Sequence, residues 1–246
     1  MRILVTNDDG IETEGIRLLS ESLREIGAVT VVAPRTEQSA VSRSITFRSP
    51  LRVESRNEPL ERSFAVDGTP SDCVFLALHH LLDGPPDLLV SGINTGPNMG
   101  DDVLYSGTVA GALEGALNGI PSIAISVGAH SGQRYDTAAA WLVGFLRENC
   151  LNLPAKTCLN VNVPCCDLAD LAGHKYTFQG HTHYAQKVFK RSDPWGRDYY
   201  WLGGELPEGK PDEGSDIKAV SEGFVSITPL GLDLTNHSYL TEGAKT

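Results

Sequence analysis

The sequence predicts an α/β protein: a doubly wound, mostly parallel sheet with helices on both faces, followed by a hairpin-rich C-terminal portion. Three observations predict it. Short apolar runs rich in β-branched residues alternate with stretches of helical period up to about residue 165. A strand, a helix and a second strand fit inside roughly the first 30 residues, the length of a βαβ unit, which requires a parallel pair and a right-handed crossover. Beyond residue 166 the chain turns aromatic, Gly-punctuated and irregular, the texture of hairpins and long loops.

Each element has its own warrant. Residues 2–6 form a short buried strand. Ile16, Leu19, Leu23 and Ile26 recur on one helical face, and Gly27 supplies the stop. AVTVVAP, from Ala28 to Pro34, is the second strand. Ser71 is expected to cap DCVFLALHHLL, which Asp83-Gly84-Pro85-Pro86 closes. DLLVSGIN is a strand running into glycine, SGTVAGALEGALNG a small-residue helix, and PSIAISV another strand. DTAAAWLVGFLREN is a helix, TCLNVNVP a further strand, and FVSITPL the clearest strand after residue 166. The chain therefore divides into a core, 1–165, and a portion, 166–246, that belongs to the same structural domain and packs on it or on a neighbouring subunit.

Bulk properties exclude several functions. The 246 residues allow a sizeable core. A formal net charge of −11 argues against a nucleic-acid polymer or a membrane surface as partner. No apolar stretch approaches the roughly 18 residues of a membrane span. The N-terminal apolar run meets acids at once, with no secretory pattern, so the cytoplasm is the expected compartment. The five cysteines, Cys73, Cys150, Cys158, Cys165 and Cys166, contain no CxxC pair and read as reduced thiols, mostly structural. Asn236-His237-Ser238 is a glycosylation sequon in form only.

The chemistry is expected beyond the carboxyl ends of the parallel strands. Asp8 and Asp9 end the first strand, Ser39 lies just past the second, and Asn94 ends DLLVSGIN. Two carboxylates, a hydroxyl and an amide are all oxygen donors, a set that suits Mg²⁺ or Mn²⁺, with Ca²⁺ also possible, rather than zinc. A dication also offsets the repulsion between adjacent acids. The plainer reading is an Asp-Gly turn after a strand. A second feature, SGINTGPNMGDDVLYSGTVAGALEG, sets Gly92, Gly96, Gly100 and Gly107 among Asn94, Asn98, Ser106 and Thr108 before a helix. Free N–H groups and hydroxyls of Ser106-Gly107-Thr108 at a helix N-terminus would hold an anion. It matches neither a Walker loop nor GxGxxG. A cation site beside an anion site points to phosphoryl chemistry.

The strings ILVTNDDGI, APRTEQSAVSRSIT, DGTPSDCV, SGINTGPNMGDDVLYSGTVAGALEG, YYWLGG and FVSITPL, in this order, resemble the SurE family over nearly the whole chain. This family comprises the survival protein E 5′-nucleotidases, metal-dependent phosphatases of nucleoside monophosphates. The resemblance implies a Rossmann-like core whose C-terminal portion reaches across to another subunit, in homodimers or homotetramers. It implies one divalent ion per subunit on Asp8, Asp9, Ser39 and Asn94. It also implies 5′- and often 3′-mononucleotides as substrates, with short polyphosphate for some members. One departure is Ala40, where the family usually has glycine; a positive φ there would strain alanine.

Three functions are compatible with such a layout to different degrees. In a phosphomonoesterase, Asp8 and Asp9 carry the catalytic metal, and Gly96, Asn98, Ser106, Gly107 and Thr108 join Asn94 around the phosphate. The nucleophile is then water or one of the aspartates, with water preferred because liganded carboxylates are poor nucleophiles. A signalling receiver would need an aspartate ending its third strand, and none stands near Arg52-Val53-Glu54. A non-catalytic nucleotide-binding protein would be expected to have lost part of the ligand set, and nothing is missing. His181 and His183 in GHTH could serve the leaving group or line a base pocket. His79 and His80 read as helix-surface or core residues. Tyr105, Tyr199, Tyr200 and Trp201 could stack on a base but read mainly as packing. Asp233 and His237 read as a local ion pair.

Overall fold

The computed structural model describes residues 1–56, 62–128, 132–149, 151–181, 185–205 and 211–243; Cys150 and His183 fall outside the described residues. In chain order the elements are β1 (Arg2–Thr6), α1 (Glu14–Leu23), β2 (Ala28–Pro34), β3 (Val53–Arg56), β4 (Ser63–Val66), α2 (Pro70–Leu76) and β5 (Leu88–Asn94). Then come α3 (Gly107–Leu117), β6 (Ser122–Val127), α4 (Tyr135–Glu148), β7 (Thr157–Val163) and β8 (His174–Tyr176). The C-terminal elements are β9 (Ala185–Ser192), β10 (Asp198–Glu205), α5 (Asp216–Ser221), β11 (Val225–Gly231) and α6 (His237–Gly243).

The main sheet has nine strands in the order β3-β4-β2-β1-β5-β6-β7-β11-β8. The run from β4 through β7 is parallel, while β3 on β4 and β11 on β7 are antiparallel. Strand period 2 sorts the core into two layers. Ile3 and Val5, Val31 and Ala33, Leu88 and Val90, and Ile123 and Ile125 pack with α1 and α4. Leu4, Val32 and Leu89 pack with α2, and Ala124 and Cys158 with α3. The small residues of α3 serve this packing: a Cβ at Gly111 would come within 2.9 Å of Ser91 Oγ.

The doubly wound arrangement puts β1 between β2 and β5. From β1 the chain winds toward β2 and β4, and from β5 the other way toward β6 and β7. The crevice beyond β1 and β5 is thus the topological switch point, where open α/β sheets bind ligands.

The cap expected at Ser71 lies at Thr69 instead. The Thr69 hydroxyl accepts from the Asp72 N–H, the Asp72 carboxylate accepts from the Thr69 N–H, and Pro70 takes the first helical position. A reciprocal capping box with proline at N1 outbids a lone serine. Ser71 is buried, and its hydroxyl has no hydrogen-bond partner among the described residues. The helix ends in a wide turn, Ala77–Leu81, on which His79 packs against Phe75 with ring centroids 4.4 Å apart.

After residue 166 the chain returns to the main sheet through β8 and β11, while β9 and β10 form a separate two-stranded hairpin. Across it Trp201 faces Phe189 and Leu202 faces Val188, and all four side chains are exposed, as are Tyr199 and Tyr200. Asp233 and His237 do meet, Nε2 to Oδ2, at 2.7 Å.

Candidate active site

The turn after β1 is built by Asn7. Its amide donates to the Gly10 carbonyl at 2.9 Å and to Thr13 Oγ1 at 3.1 Å, and its Oδ1 accepts from the Gly10 N–H. This turn fixes Asp8 and Asp9 at the strand end. Asp8 is buried, 4% exposed, and both its oxygens are engaged by Thr108. The Thr108 N–H donates to Oδ2 at 2.9 Å, and the Thr108 hydroxyl donates to Oδ1. The first turn of α3 is therefore fastened onto Asp8, and Gly107 makes room for it. A Cβ at Gly107 would stand 2.8 Å from both Cβ and Oδ2 of Asp8.

Asp9 belongs to the β5 side. Its Oδ2 accepts from the Thr95 N–H at 3.0 Å and the Thr95 hydroxyl at 3.2 Å, and Thr95 Oγ1 lies 2.7 Å from Tyr135 Oη at the start of α4. Asn94, the neighbour of Thr95, donates its amide nitrogen to the Gly96 carbonyl at 2.9 Å. That contact leaves Oδ1 as the atom of Asn94 available to a cation.

The loop after β2 crosses the same strand end. The Gln38 N–H donates to the Asp8 carbonyl at 2.7 Å, which brings the residue before Ser39 to this strand end. The Ser39 hydroxyl donates to Glu37 Oε1 at 2.7 Å, so its lone pairs stay free to accept. Ala40 follows with φ at 57°, the left-handed value at which alanine is strained and glycine is not.

The two carboxylates share an electrostatic problem. Burial pushes Asp8 up to about 6, with the Asp9 charge adding to it and the Thr108 bonds opposing. Asp9 is raised too, by burial first and by the Glu37 charge, with Thr95 opposing. The charges that raise the pair are those of neighbouring acids, Asp9 and Glu37, and among the described residues no lysine or arginine bridges to either. Two crowded carboxylates with hydroxyl and amide oxygens at hand fit a hard divalent cation on donor chemistry.

The expected anion side is more committed to structure than the sequence suggested. Both donors of Thr108 are spent on Asp8. Ser106 caps α3, its hydroxyl accepting from the Val109 N–H at 3.1 Å. Asn98 is 7% exposed, and its amide nitrogen donates to Ser126 Oγ at 2.9 Å. Its own N–H donates to Asn162 Oδ1, while its carbonyl accepts from Asn160 and Asn162. Gly96, with φ at 98°, and Gly107 complete the segment. Ser42 ties the β2–β3 loop to its far end through the carbonyls of Leu104 and Tyr105. Exposed His181 lies 3.4 Å from Asp101, and Tyr105 is exposed beside the helix start.

Several residues that shape this site drew no attention in the sequence. Asn7 and Thr13 carried a signal, since an Asn three residues before a glycine commonly builds its own turn. Thr95, Tyr135, Asn160 and Asn162 carried none, because their partners lie on other strands.

A model of the family described as Survival protein SurE matches residues 3–186. The chain belongs to the SurE family. Its sequence is 49% identical to the 5′-nucleotidase SurE of Moorella thermoacetica, covering 98% of this chain and 94% of that protein. Against the 5′-nucleotidase SurE of Geobacter metallireducens it is 50% identical, with 98% and 95% covered. A crystal structure of the SurE protein from Aquifex aeolicus superimposes with a TM-score of 0.86 at 41% identity, covering 98% of each chain. This SurE fold has no helix, among the described residues, long and apolar enough to cross a membrane.

Proposed function

We propose that the protein is a 5′-nucleotidase that hydrolyses nucleoside 5′-monophosphates to nucleoside and phosphate, with 3′-monophosphates and short polyphosphate as further substrates. The name carried by relatives about half identical over almost their whole length supports the reaction. The observation that carries the site is the buried acid pair at the switch point, clasped by the first turn of α3 on one side and by Thr95 on the other.

Asp8, Asp9, Ser39 and Asn94 would hold one divalent cation, Mg²⁺ or Mn²⁺, with Ca²⁺ also suited to the donors. When bound, such an ion neutralises phosphate charge and acts as a Lewis acid on a phosphoryl oxygen. The chain's own residues do the rest. Asn94, Gly96, Asn98, Ser106, Gly107 and Thr108 would line the phosphate at the crevice: Thr108 acts through the Asp8 carboxylate it holds, and the Ser106 hydroxyl, which accepts from Val109, keeps its own proton to donate to an anion. Thr108 and Thr95 lock the carboxylates as ligands, which favours water over an aspartate as nucleophile. The cation resolves the conflict between an anionic substrate and a chain of net charge −11. Metal-dependent phosphate release from a nucleoside 5′-monophosphate, lost in Asp8→Asn, is the expected result. Undiminished turnover in that variant would remove the site from consideration.

The protein is proposed to work as a homodimer or homotetramer joined through β9–β10. A two-stranded hairpin is marginal alone, and one with Val188, Phe189, Tyr200, Trp201 and Leu202 in solvent is expected to be covered. Light scattering on wild type and Trp201→Glu tests this; a monomeric wild type would refute it.

A further inference from the structure

Asp216 is completely buried, although it lies outside the cluster of oxygen donors. It opens α5, and its carboxylate is met by three backbone N–H groups. Gly100 donates to one oxygen at 2.9 Å; Gly180, at 2.9 Å, and Ile217, at 2.8 Å, donate to the other. The carbonyl of Gly100 in turn accepts from Gln179 Nε2 at 2.9 Å. The C-terminal portion thus grips both ends of this one residue. Lys218, the cation of α5, is engaged elsewhere, with Glu213 and Glu222.

A carboxylate taken out of water needs strong compensation, and backbone N–H groups are an exacting way to supply it. Gly180 shows how close the approach is. A Cβ there would stand 3.0 Å from Asp216 Oδ1 and 3.1 Å from Ser215 Cβ. The segment held in this way runs from Gly96 to Ser106. Its Asn98 end is pinned from the sheet by Ser126, Asn160 and Asn162, and Gly100 itself is held on both its N–H and its carbonyl by Asp216 and Gln179, while Ser42 ties down the Leu104 end. Gly100 also begins the tight turn Gly100–Leu104 that leads to the Ser106 cap of α3.

We propose that Asp216 is a positioning residue for substrate. It holds the Gly96–Ser106 segment at the height where Asn98 and the tip of α3 meet the phosphate, so the C-terminal portion sets phosphate affinity without touching the ligand. This rests on the reading of that segment as the phosphate cradle. Metal binding should be insensitive to it, because Asp8, Asp9 and Asn94 are fastened by Thr108, Thr95 and Gly96 independently of Gly100.

The test is Asp216→Asn, which puts an amide donor against an N–H group and unfastens either Gly100 or Gly180. Steady-state kinetics on a nucleoside 5′-monophosphate, inhibition by inorganic phosphate and Mn²⁺ titration calorimetry are measured together. KM and the phosphate inhibition constant should rise about tenfold, as a small misplacement of binding groups costs. At the same time kcat should stay within about threefold and Mn²⁺ affinity within about twofold of wild type. Unchanged KM and inhibition constants overturn the proposal. So does a parallel loss of Mn²⁺ affinity and kcat, which would mean general loosening. If Asp216→Asn does not fold, Gln179→Leu releases the carbonyl side of the grip. A rise in the same two constants then supports the proposal, and wild-type values overturn it. Asp8→Asn, run in parallel, separates the two claims. Hydrolysis retained in Asp8→Asn sinks the site reading itself, whereas hydrolysis lost there with wild-type constants in Asp216→Asn sinks only the grip.

Discussion

Replacing Asp8 by asparagine should stabilise the metal-free protein at neutral pH while destroying its response to metal. Asp8 stands at about 6 against an ordinary value of 3.8. At about 1.4 kcal/mol per pH unit, the ionised carboxylate weighs against the folded state by about 3 kcal/mol. Between those two values the folded chain binds more protons at Asp8 than the unfolded chain. Metal-free stability is therefore fully present below pH ~4 and is lost as pH rises through about 6. Asparagine keeps the shape and removes the charge. The Thr108 N–H can still reach Oδ1, and the Thr108 hydroxyl can turn to accept from the new amide; the loss of charge assistance in these bonds is already contained in the raised value, which they oppose. The balance is a gain of about 3 kcal/mol at pH 7.5, or roughly 6–12 °C in Tm for a chain of this length. At pH 4 the gain should vanish. Urea denaturation in chelator at both pH values measures it, and a repeat with saturating Mn²⁺ should stabilise only the wild type. A variant less stable than wild type at pH 7.5, or one with the same difference at pH 4, would refute the electrostatic account of the acid pair.

Three further substitutions probe the supports of the site. Ala40→Gly relieves a left-handed alanine and should add about 0.5–1 kcal/mol in urea denaturation; a loss of stability would show that the loop gains nothing from glycine there. Gly107→Ala drives a methyl group onto Asp8, so Mn²⁺ affinity and turnover should fall together by roughly 100-fold, and wild-type titration curves would contradict the packing. Thr108→Val removes the hydroxyl from a buried carboxylate and should cost about 2 kcal/mol at pH 7.5 but clearly less at pH 4, where Asp8 is neutral; a cost independent of pH would assign the loss to packing.

The sequence alone was sufficient for β1, β2, β5, β6, β7 and β11, and it pointed to the type of chemistry. Period-2 and continuous apolar runs such as RILVT, AVTVVAP and SIAISV can be nothing but buried strands when helices separate them. Paired acids at the end of the first of them state a cation problem without coordinates. The cap at Thr69 was equally legible, through T-P-x-D, and simply outranked the serine two residues on. The positive φ at Ala40 followed from a departure at one residue.

Tertiary structure decided what those residues can do. Thr108 lies 100 residues from the carboxylate it holds, and Asp216 lies 116 residues from Gly100. Hydrogen bonds of that separation are set by strand order, which local periodicity does not encode. The edge strand β3, its neighbour β4 and the short helix α5 were likewise silent, because VESR, SFAV and DIKAVS are too short and too little apolar as a set to show a period. A chain states its elements through neighbours in sequence; an active site is made of neighbours in space, and only folding makes them so.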